Sequence, residues 1–180
     1  GCESGGHIGE ATTMSLVPQV ADGVNIPVIA AGGIGDGRGI AAALMLGAQG
    51  VQLGTRFLAS TECPVHPNYK QMVLDAKDTD TAVTGRATGR PVRAIRNRLT
   101  RRLSELEQSG ASPDEFEELA LGSLRRAVQD GDREEGSFMA GQIAGLIREV
   151  KPCGEIIQEL FGEAEDLLQH IEQRRGVTIG

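Results

Sequence analysis

Two short apolar runs separated by an amphipathic segment dominate the first third of the chain. Residues 26–31 form a run rich in β-branched side chains that ends at Gly32, and residues 51–53 form a second run that ends at Gly54. Between them, apolar residues recur at helical spacing after Asp36, whose side chain suits a helix N-cap. The pattern predicts a buried, parallel β-α-β unit with its functional loops at the carboxyl ends of the strands.

Helical periodicity dominates the chain outside this unit. Ser112 and Glu115 form a capping-box sequence around a proline at the first helical position. The predicted helices cover residues 12–21, 67–76, 92–106, 113–127 and 156–171, and a short strand is predicted over residues 81–83. We therefore predict an α/β fold in which residues 1–60 carry the alternating pattern and residues 61–180 form a mostly helical appendage that packs on it.

The bulk composition narrows the class of protein. The 180 residues are 39% apolar, which is compatible with a buried core, but only 3% are aromatic. Few aromatic residues and a formal net charge of −7 disfavour nucleic-acid binding, which uses stacking platforms and basic surfaces. No apolar stretch reaches the ~20 residues that a membrane helix needs. The three cysteines lack the spacing of a zinc site, so we expect reduced thiols, no bound metal and a cytoplasmic protein.

Glycines follow both predicted strands, where the functional loops of parallel units lie. In a (β/α)₈ barrel, the loops after the last two strands form the usual phosphate site. Main-chain N–H groups at such turns bind phosphate without charged side chains. Gly33, Gly54 and Thr55 are therefore candidate phosphate ligands, and tight turning alone is the alternative for the glycines. Arg56 either adds charge there or forms a salt bridge on the barrel wall.

A third glycine-rich segment, residues 5–9 (Gly-Gly-His-Ile-Gly), lies one unit earlier. Its glycines leave little bulk around the His7 imidazole, which can therefore reach a ligand. Histidine titrates near neutral pH, which suits proton donation or polarisation of a carbonyl. A structural role for His7 is the alternative. Glu3 either orients this loop or hydrogen-bonds a cofactor.

Arginines cluster in an otherwise acidic chain. One interpretation is a solvated helix face paired with local acids. The other is a docking patch for an acidic partner or a nucleotide phosphate, whose binding would be sensitive to salt. The cluster consists of Arg86, Arg90, Arg93, Arg96, Arg98, Arg101 and Arg102.

Several segments together resemble the FMN-dependent enoyl-acyl-carrier-protein reductase II family. They are residues 3–9 (ESGGHIG) with 12–14 (TTM), residues 27–34 (PVIAAGGI), residues 53–57 (LGTRF) and residues 139–142 (MAGQ). Nitronate monooxygenases, close relatives on the same barrel, share the Gly-Gly-His motif and both phosphate-loop ends. They commonly carry Arg where this chain has Ile8, so Ile8 and the Thr-Thr-Met context favour the reductase.

The resemblance implies the C-terminal part of a (β/α)₈ TIM barrel, with FMN at its mouth and NADH or NADPH as reductant. It implies reduction of a trans-2-enoyl thioester on acyl carrier protein, in bacterial type II fatty-acid synthesis. It also implies a catalytic role for His7, substrate contacts from Met139 and Ala140, and stimulation by a monovalent cation. A homodimer is a further expectation. The residues expected to hold FMN are Glu3, Gly5, Gly6, Gly33, Gln52, Gly54 and Thr55.

The first strands of the family have no counterpart in this sequence. A complete barrel of this type runs to about 250 residues or more. We therefore expect this chain to be the C-terminal portion of a longer protein and its exposed strand edges to pair with the N-terminal part of the barrel. Two other functions stay open: oxidation of alkyl nitronates with FMN and dioxygen, and a non-catalytic role as a fragment or as one subunit of a split barrel.

Overall fold

The computed structural model describes residues 1–175 as a mixed α/β arrangement, so residues 176–180 of the predicted helical appendage lie outside the described residues. The first elements are β1 (Gly6–His7), α1 (Thr13–Gly23), β2 (Ile29–Ala31), α2 (Gly37–Met45), β3 (Gly50–Gln52), α3 (Thr55–Leu58) and α4 (Pro67–Asp75). They are followed by β4 (Thr81–Thr84), β5 (Val92–Ile95), α5 (Arg98–Gln108), α6 (Pro113–Ala120), α7 (Ser123–Arg125), a π-helical turn (Arg126–Asp130), a 3₁₀ helix (Gln142–Leu146) and α8 (Cys153–Arg175).

The predicted β-α-β unit is present as β2, α2 and β3. The two strands are parallel, with Ala30 opposite Val51. Asp36 caps α2 as predicted, because its Oδ1 accepts the main-chain N–H of Gly39 at 3.1 Å. This unit brings the loops after both strands to the same edge of the sheet.

The prediction that the run of residues 26–31 is buried throughout is wrong. Ala30 is 2% exposed, whereas Ile26 and Ile29 are 70% and 56% exposed. Successive side chains of a strand point to opposite faces of its sheet. Ala30 packs with core residues of α1, α2 and α8, while Ile29 points to the other face, which the described residues leave open.

The C-terminal helix α8 packs closely against α2. Gly37 allows this approach, because a Cβ atom at this position would lie 2.3 Å from Cβ of Glu163 and 2.8 Å from the carbonyl oxygen of Leu160. The predicted apolar face of this helix is narrower than expected. Its buried residues are Ile156, Leu160 and Ala164, whereas Ile157, Leu167 and Ile171 are exposed.

A second, antiparallel sheet has the strand order β1-β5-β4. The predicted strand at residues 81–83 is confirmed as β4, but the predicted helix over residues 92–106 is wrong at its start. Val92–Ile95 forms β5, which pairs with β4 on one side and with β1 on the other. Strand pairing on both sides overrides the helical spacing of Val92 and Ile95, and α5 begins only after a capping box at Asn97.

The predicted long helix over residues 113–127 is broken in the structure. Its capping box at Ser112 is confirmed, but α6 ends at Ala120 and Gly122 adopts a left-handed conformation with φ of 72°. The expected buried face is therefore split. Ala127 is fully buried, Leu124 is 45% exposed, and Phe116, Leu119 and Ala120 are half-buried.

Among residues 1–175, no helix is long and apolar enough to cross a membrane. The same residues contain no group of three or more histidine, cysteine, aspartate or glutamate side chains that could hold a metal ion.

Candidate functional site

The segment that leads into β1 and the loops that follow β2 and β3 surround one cavity of about 360 Å³. This volume lies in the range of about 300–1,000 Å³ that is usual for ligand pockets. The structure brings together eight of the ten residues that the sequence singled out: Glu3, Gly5, Gly6, Gly33, Gln52, Gly54, Thr55 and Met139 line this cavity. The other two, His7 and Ala140, are immediate chain neighbours of lining residues.

Glycine gives the cavity a wall of bare main chain. Six of the lining residues are glycines: Gly5, Gly6, Gly32, Gly33, Gly54 and Gly141. Gly33 has φ of +67°, and a Cβ atom there would lie 3.2 Å from Oε1 of Glu3. A Cβ atom at Gly54 would meet nothing within 4 Å, so the main chain at the start of α3 faces open space. Such a wall fits a phosphate-bearing planar ligand that approaches the backbone closely.

Glu3 organises the loops behind this wall. Its carboxylate accepts the main-chain N–H of Thr13, with 2.9 Å to Oε1 and 3.1 Å to Oε2. The anion thus occupies the N-terminus of α1, where the helix dipole favours negative charge. The Thr13 hydroxyl donates to the carbonyl of Gly32 at 2.8 Å, which links the same helix end to the loop after β2. In the structure Glu3 therefore orients the loop, and its contact with a cofactor stays a prediction.

A segment that we call the strap, residues 138–142, closes one side of the cavity. The Gly141 N–H donates to Oγ1 of Thr55 at 2.9 Å, and the Gln142 N–H donates to the carbonyl of Glu3 at 2.9 Å. Only glycine fits at residue 5, because a Cβ atom there would lie 2.6 Å from the carbonyl carbon of Ala140. These contacts join the substrate segment predicted from sequence to two of the three cofactor loops.

His7 lies on β1 opposite Val92, so it belongs to a short strand rather than to the free loop that the sequence predicted. Its side chain is exposed, while its neighbour Gly6 lines the cavity. The strand fixes the main chain of His7, whose exposed side chain directly follows a lining residue, and contact of the imidazole with a ligand stays a prediction.

Arg56 takes neither of the roles expected from the sequence. It does not line the cavity, and its guanidinium donates to the carbonyls of Ala59 and Glu149 at 3.5 and 3.4 Å. Burial lowers the pKa of Arg56. Phosphate binding at this edge would therefore depend on main-chain N–H groups and on the Thr55 hydroxyl.

The arginine cluster is largely paired with acids, which supports its interpretation as a solvated face. Arg90 pairs with Glu117 at 2.8 Å, and Arg102 and Arg98 both pair with Glu135, at 2.9 and 3.4 Å. Arg86 pairs with Glu10. Arg93 is only 8% exposed and donates to the Cys2 carbonyl and to the Thr81 hydroxyl, so it cannot belong to a surface docking patch.

Sequence reasoning did not single out every residue of the cavity wall. The others are Ser4, Ala31, Gly32, Ile34, Leu53, Leu58, Gly141 and Ile143. Most adjoin a predicted site residue in the chain, so the same loop motifs would have found them. Leu58 and Ile143 enter from α3 and from the 3₁₀ helix, and their spacing carries no signal of a site.

Comparison with known proteins identifies the family. A model of the nitronate monooxygenase family matches residues 1–163. A probable nitronate monooxygenase from Staphylococcus saprophyticus is 35% identical over 179 residues, which cover 93% of this chain and 50% of that protein. FabK from Thermotoga maritima has a TM-score of 0.93 at 52% identity, covering 97% of this chain and 55% of that chain. Nitroalkane oxidase from Streptomyces ansochromogenes has a TM-score of 0.75 at 33% identity, and the match covers 95% of this chain and 52% of that chain.

These proteins confirm the resemblance inferred from the motifs. They are flavin-dependent oxidoreductases built on TIM barrels, and the family uses FMN. This chain spans about half the length of the relatives it matches. On the match over residues 1–163, the chain belongs to the nitronate monooxygenase family of flavin-dependent oxidoreductases.

Proposed function

We propose that this chain supplies the FMN-holding loops and the active-site histidine of an enoyl-acyl-carrier-protein reductase. The observation that carries the proposal is the glycine-lined cavity on which the segment leading into β1 and the loops after β2 and β3 converge. FabK is an enoyl-acyl-carrier-protein reductase II, and the identity of 52% to it, against 33% to the nitroalkane oxidase, favours the reductase over nitronate oxidation. In this proposal a preceding half of the protein completes the TIM barrel, and acyl carrier protein delivers the substrate in the cytoplasm.

The residues of the cavity would have distinct tasks. Gly33, Gly54 and Thr55 would hold the phosphate of FMN, and Gly6 and Gln52 would contact the rest of the cofactor. When bound, FMN supplies the hydride that NADH or NADPH provides and that the β-carbon of the enoyl thioester accepts. The main-chain wall would exclude water from the side of the cofactor that it covers.

His7 would complete the reaction on the substrate. Reduction of the double bond needs one hydride at the β-carbon and one proton at the α-carbon. A protonated imidazole can give that proton, or it can donate a hydrogen bond to the thioester carbonyl and so favour hydride addition. What supports this role is that His7 is exposed and directly follows Gly6, a residue of the cavity wall.

Oxidation of alkyl nitronates is the second candidate, because both the family model and the curated relatives carry that name. The two activities differ in what reduces the flavin. In the full-length protein under anaerobic conditions, we expect NADH or NADPH to bleach the flavin and crotonyl thioester to restore its colour. Bleaching by propyl-2-nitronate, with no response to either nicotinamide, would establish the second candidate instead.

A non-catalytic role, as a fragment or as a subunit of a split barrel, makes a third prediction. It requires that no continuous reading frame joins this chain to the first half of the barrel. The non-catalytic role would be dismissed by an in-frame start codon upstream. The encoded protein would then have the ~250 residues or more of a complete barrel.

A further inference from the structure

A buried hydroxyl that takes no part in the proposed reaction lies directly behind the strap. Tyr69, on α4, is only 2% exposed, and its ring meets Phe138 edge-on with 4.9 Å between ring centroids. Its hydroxyl donates to the main-chain carbonyl of Met139 at 2.8 Å. Burial raises the pKa of Tyr69, so this group remains a protonated donor throughout the physiological range.

The residue held by this bond forms part of the cavity wall. Met139 lines the cavity, and its sulfur would lie 3.6 Å from a Cβ atom at Gly6. The thioether thus lies beside the residue that precedes His7. The far end of the strap has its own attachments, from Gly141 to Thr55 and from Gln142 to Glu3. The hydroxyl of Tyr69 is therefore placed to fix the Met139 end.

We propose that Tyr69 is a positioning residue that, through the Met139 carbonyl, sets the place of the Met139 thioether and thereby the acyl-chain preference of the enzyme. The inference rests on the proposed function, because it takes the acyl chain to pass Met139. Tyr69 touches neither substrate nor cofactor in this account. The effect of Tyr69 on acyl-chain preference must therefore disappear when the side chain of Met139 is removed.

A double-mutant cycle in the full-length holoenzyme tests this dependence. The variants are Tyr69→Phe, Met139→Ala and the double variant, assayed with trans-2-enoyl coenzyme A thioesters of four and eight carbons. We expect Tyr69→Phe to change the ratio of kcat/KM for the two thioesters by about 3- to 10-fold, as expected for one lost hydrogen bond, mainly through KM. FMN content should stay unchanged. In the Met139→Ala background, Tyr69→Phe should leave the ratio unchanged.

Two results would overturn the inference: a wild-type ratio in Tyr69→Phe, or the same change of ratio in the Met139→Ala background. Ser60→Ala is the matched control. Ser60 is 1% exposed and donates a hydroxyl hydrogen bond of 2.8 Å to the Phe57 carbonyl, away from the strap. It should lower stability without changing the ratio.

A spectroscopic measurement separates this inference from the proposed function. The ¹³C-methyl resonance of Met139 can be assigned in the full-length protein by its loss in Met139→Ala. Tyr69→Phe should shift that resonance and leave those of Met14 and Met45, which are both 69% exposed, in place. This result would stand even if no enoyl thioester were reduced. An unshifted Met139 resonance would contradict the positioning role.

Discussion

His7 is the single residue on which the proposed chemistry depends most. His7→Ala in the full-length protein should lower kcat for crotonyl thioester by at least about 100-fold, the lower end of the usual contribution of a general acid. FMN should remain bound, because His7 lies outside the cavity wall. Stopped-flow turnover and the flavin absorbance of the purified protein give the two readings.

His170→Ala is the control for this substitution. His170 is exposed on α8, and its Nδ1 lies 2.7 Å from the carbonyl oxygen of Asp166 in the same helix. Its removal should leave kcat unchanged. Wild-type turnover in His7→Ala would remove the histidine from the reaction.

For individual residues, the sequence predicts which of them lie together in the candidate site, but it does not predict the contacts that each of them makes. The positions of Gly33 and Gly54 after two neighbouring strands predicted that they share a site, because loops at the carboxyl ends of adjacent parallel strands converge, whereas Met139 was expected there only from the family resemblance. The bond from Thr13 to Glu3 and the burial of Arg93 depend on contacts between distant segments. No local pattern reports such contacts.

Among the structural elements, the contact between α2 and α8 depends on a glycine. Gly37→Ala should lower the free energy of unfolding by about 1–3 kcal/mol, because a methyl group would overlap Glu163 and the main chain of α8. Gly162→Ala is the matched control, since Gly162 lies within α8 and a Cβ atom there meets nothing within 4 Å. It should raise the free energy of unfolding by up to about 1 kcal/mol.

Urea denaturation of the full-length protein measures both effects. Equal stability of the two variants would show that the helices do not pack at this distance.

The N-terminus of α8 gives the fold an acid-sensitive contact. The hydroxyl of Thr61 and the main-chain N–H of Cys153 donate to the Glu62 carboxylate, and they lower its pKa to about 2. A depressed carboxyl pKa stabilises the fold above the ordinary value near 4.5, and that stabilisation is lost as the pH falls towards 2.

Glu62→Gln should therefore reduce the loss of Tm between pH 4.5 and pH 2, as measured by circular dichroism. Glu165→Gln, at an exposed position of the same helix, should keep the wild-type acid dependence. An unchanged acid dependence in Glu62→Gln would contradict the role of this contact.

Element types were predictable where the local pattern and the tertiary environment agree. Asp36 before α2 and Ser112 before α6 are capping residues whose effect is local, and both helices begin where the sequence indicates. Val92 and Ile95 have helical spacing but lie in a strand, because β4 and β1 flank that segment on both sides. Helical periodicity is a local pattern, so it cannot predict pairing with strands that are distant in the sequence.

For the molecule as a whole, the open face of the parallel pair is the feature to explain. Ile26 and Ile29 are 70% and 56% exposed. The chain spans about half the length of the relatives it matches. Exposed apolar strand faces promote association. The 180-residue chain alone should therefore self-associate, and co-expression with the first half of the barrel should give a monodisperse, coloured complex in size-exclusion chromatography. A monodisperse and colourless chain that ignores the first half would argue against completion of a barrel.

In the proposed function the main-chain wall of the cavity holds FMN, and a substitution at Gly54 tests this. A Cβ atom at Gly54 would meet no protein atom within 4 Å and Gly54 lines the cavity, whereas Gly9 is equally unobstructed and lies outside it. FMN titration of the deflavinated full-length protein, followed by flavin fluorescence, should show tight binding in wild type and Gly9→Val and strongly weakened binding in Gly54→Val, with equal Tm values without cofactor. Equal affinity in all three, or no binding by the wild type, would contradict the account.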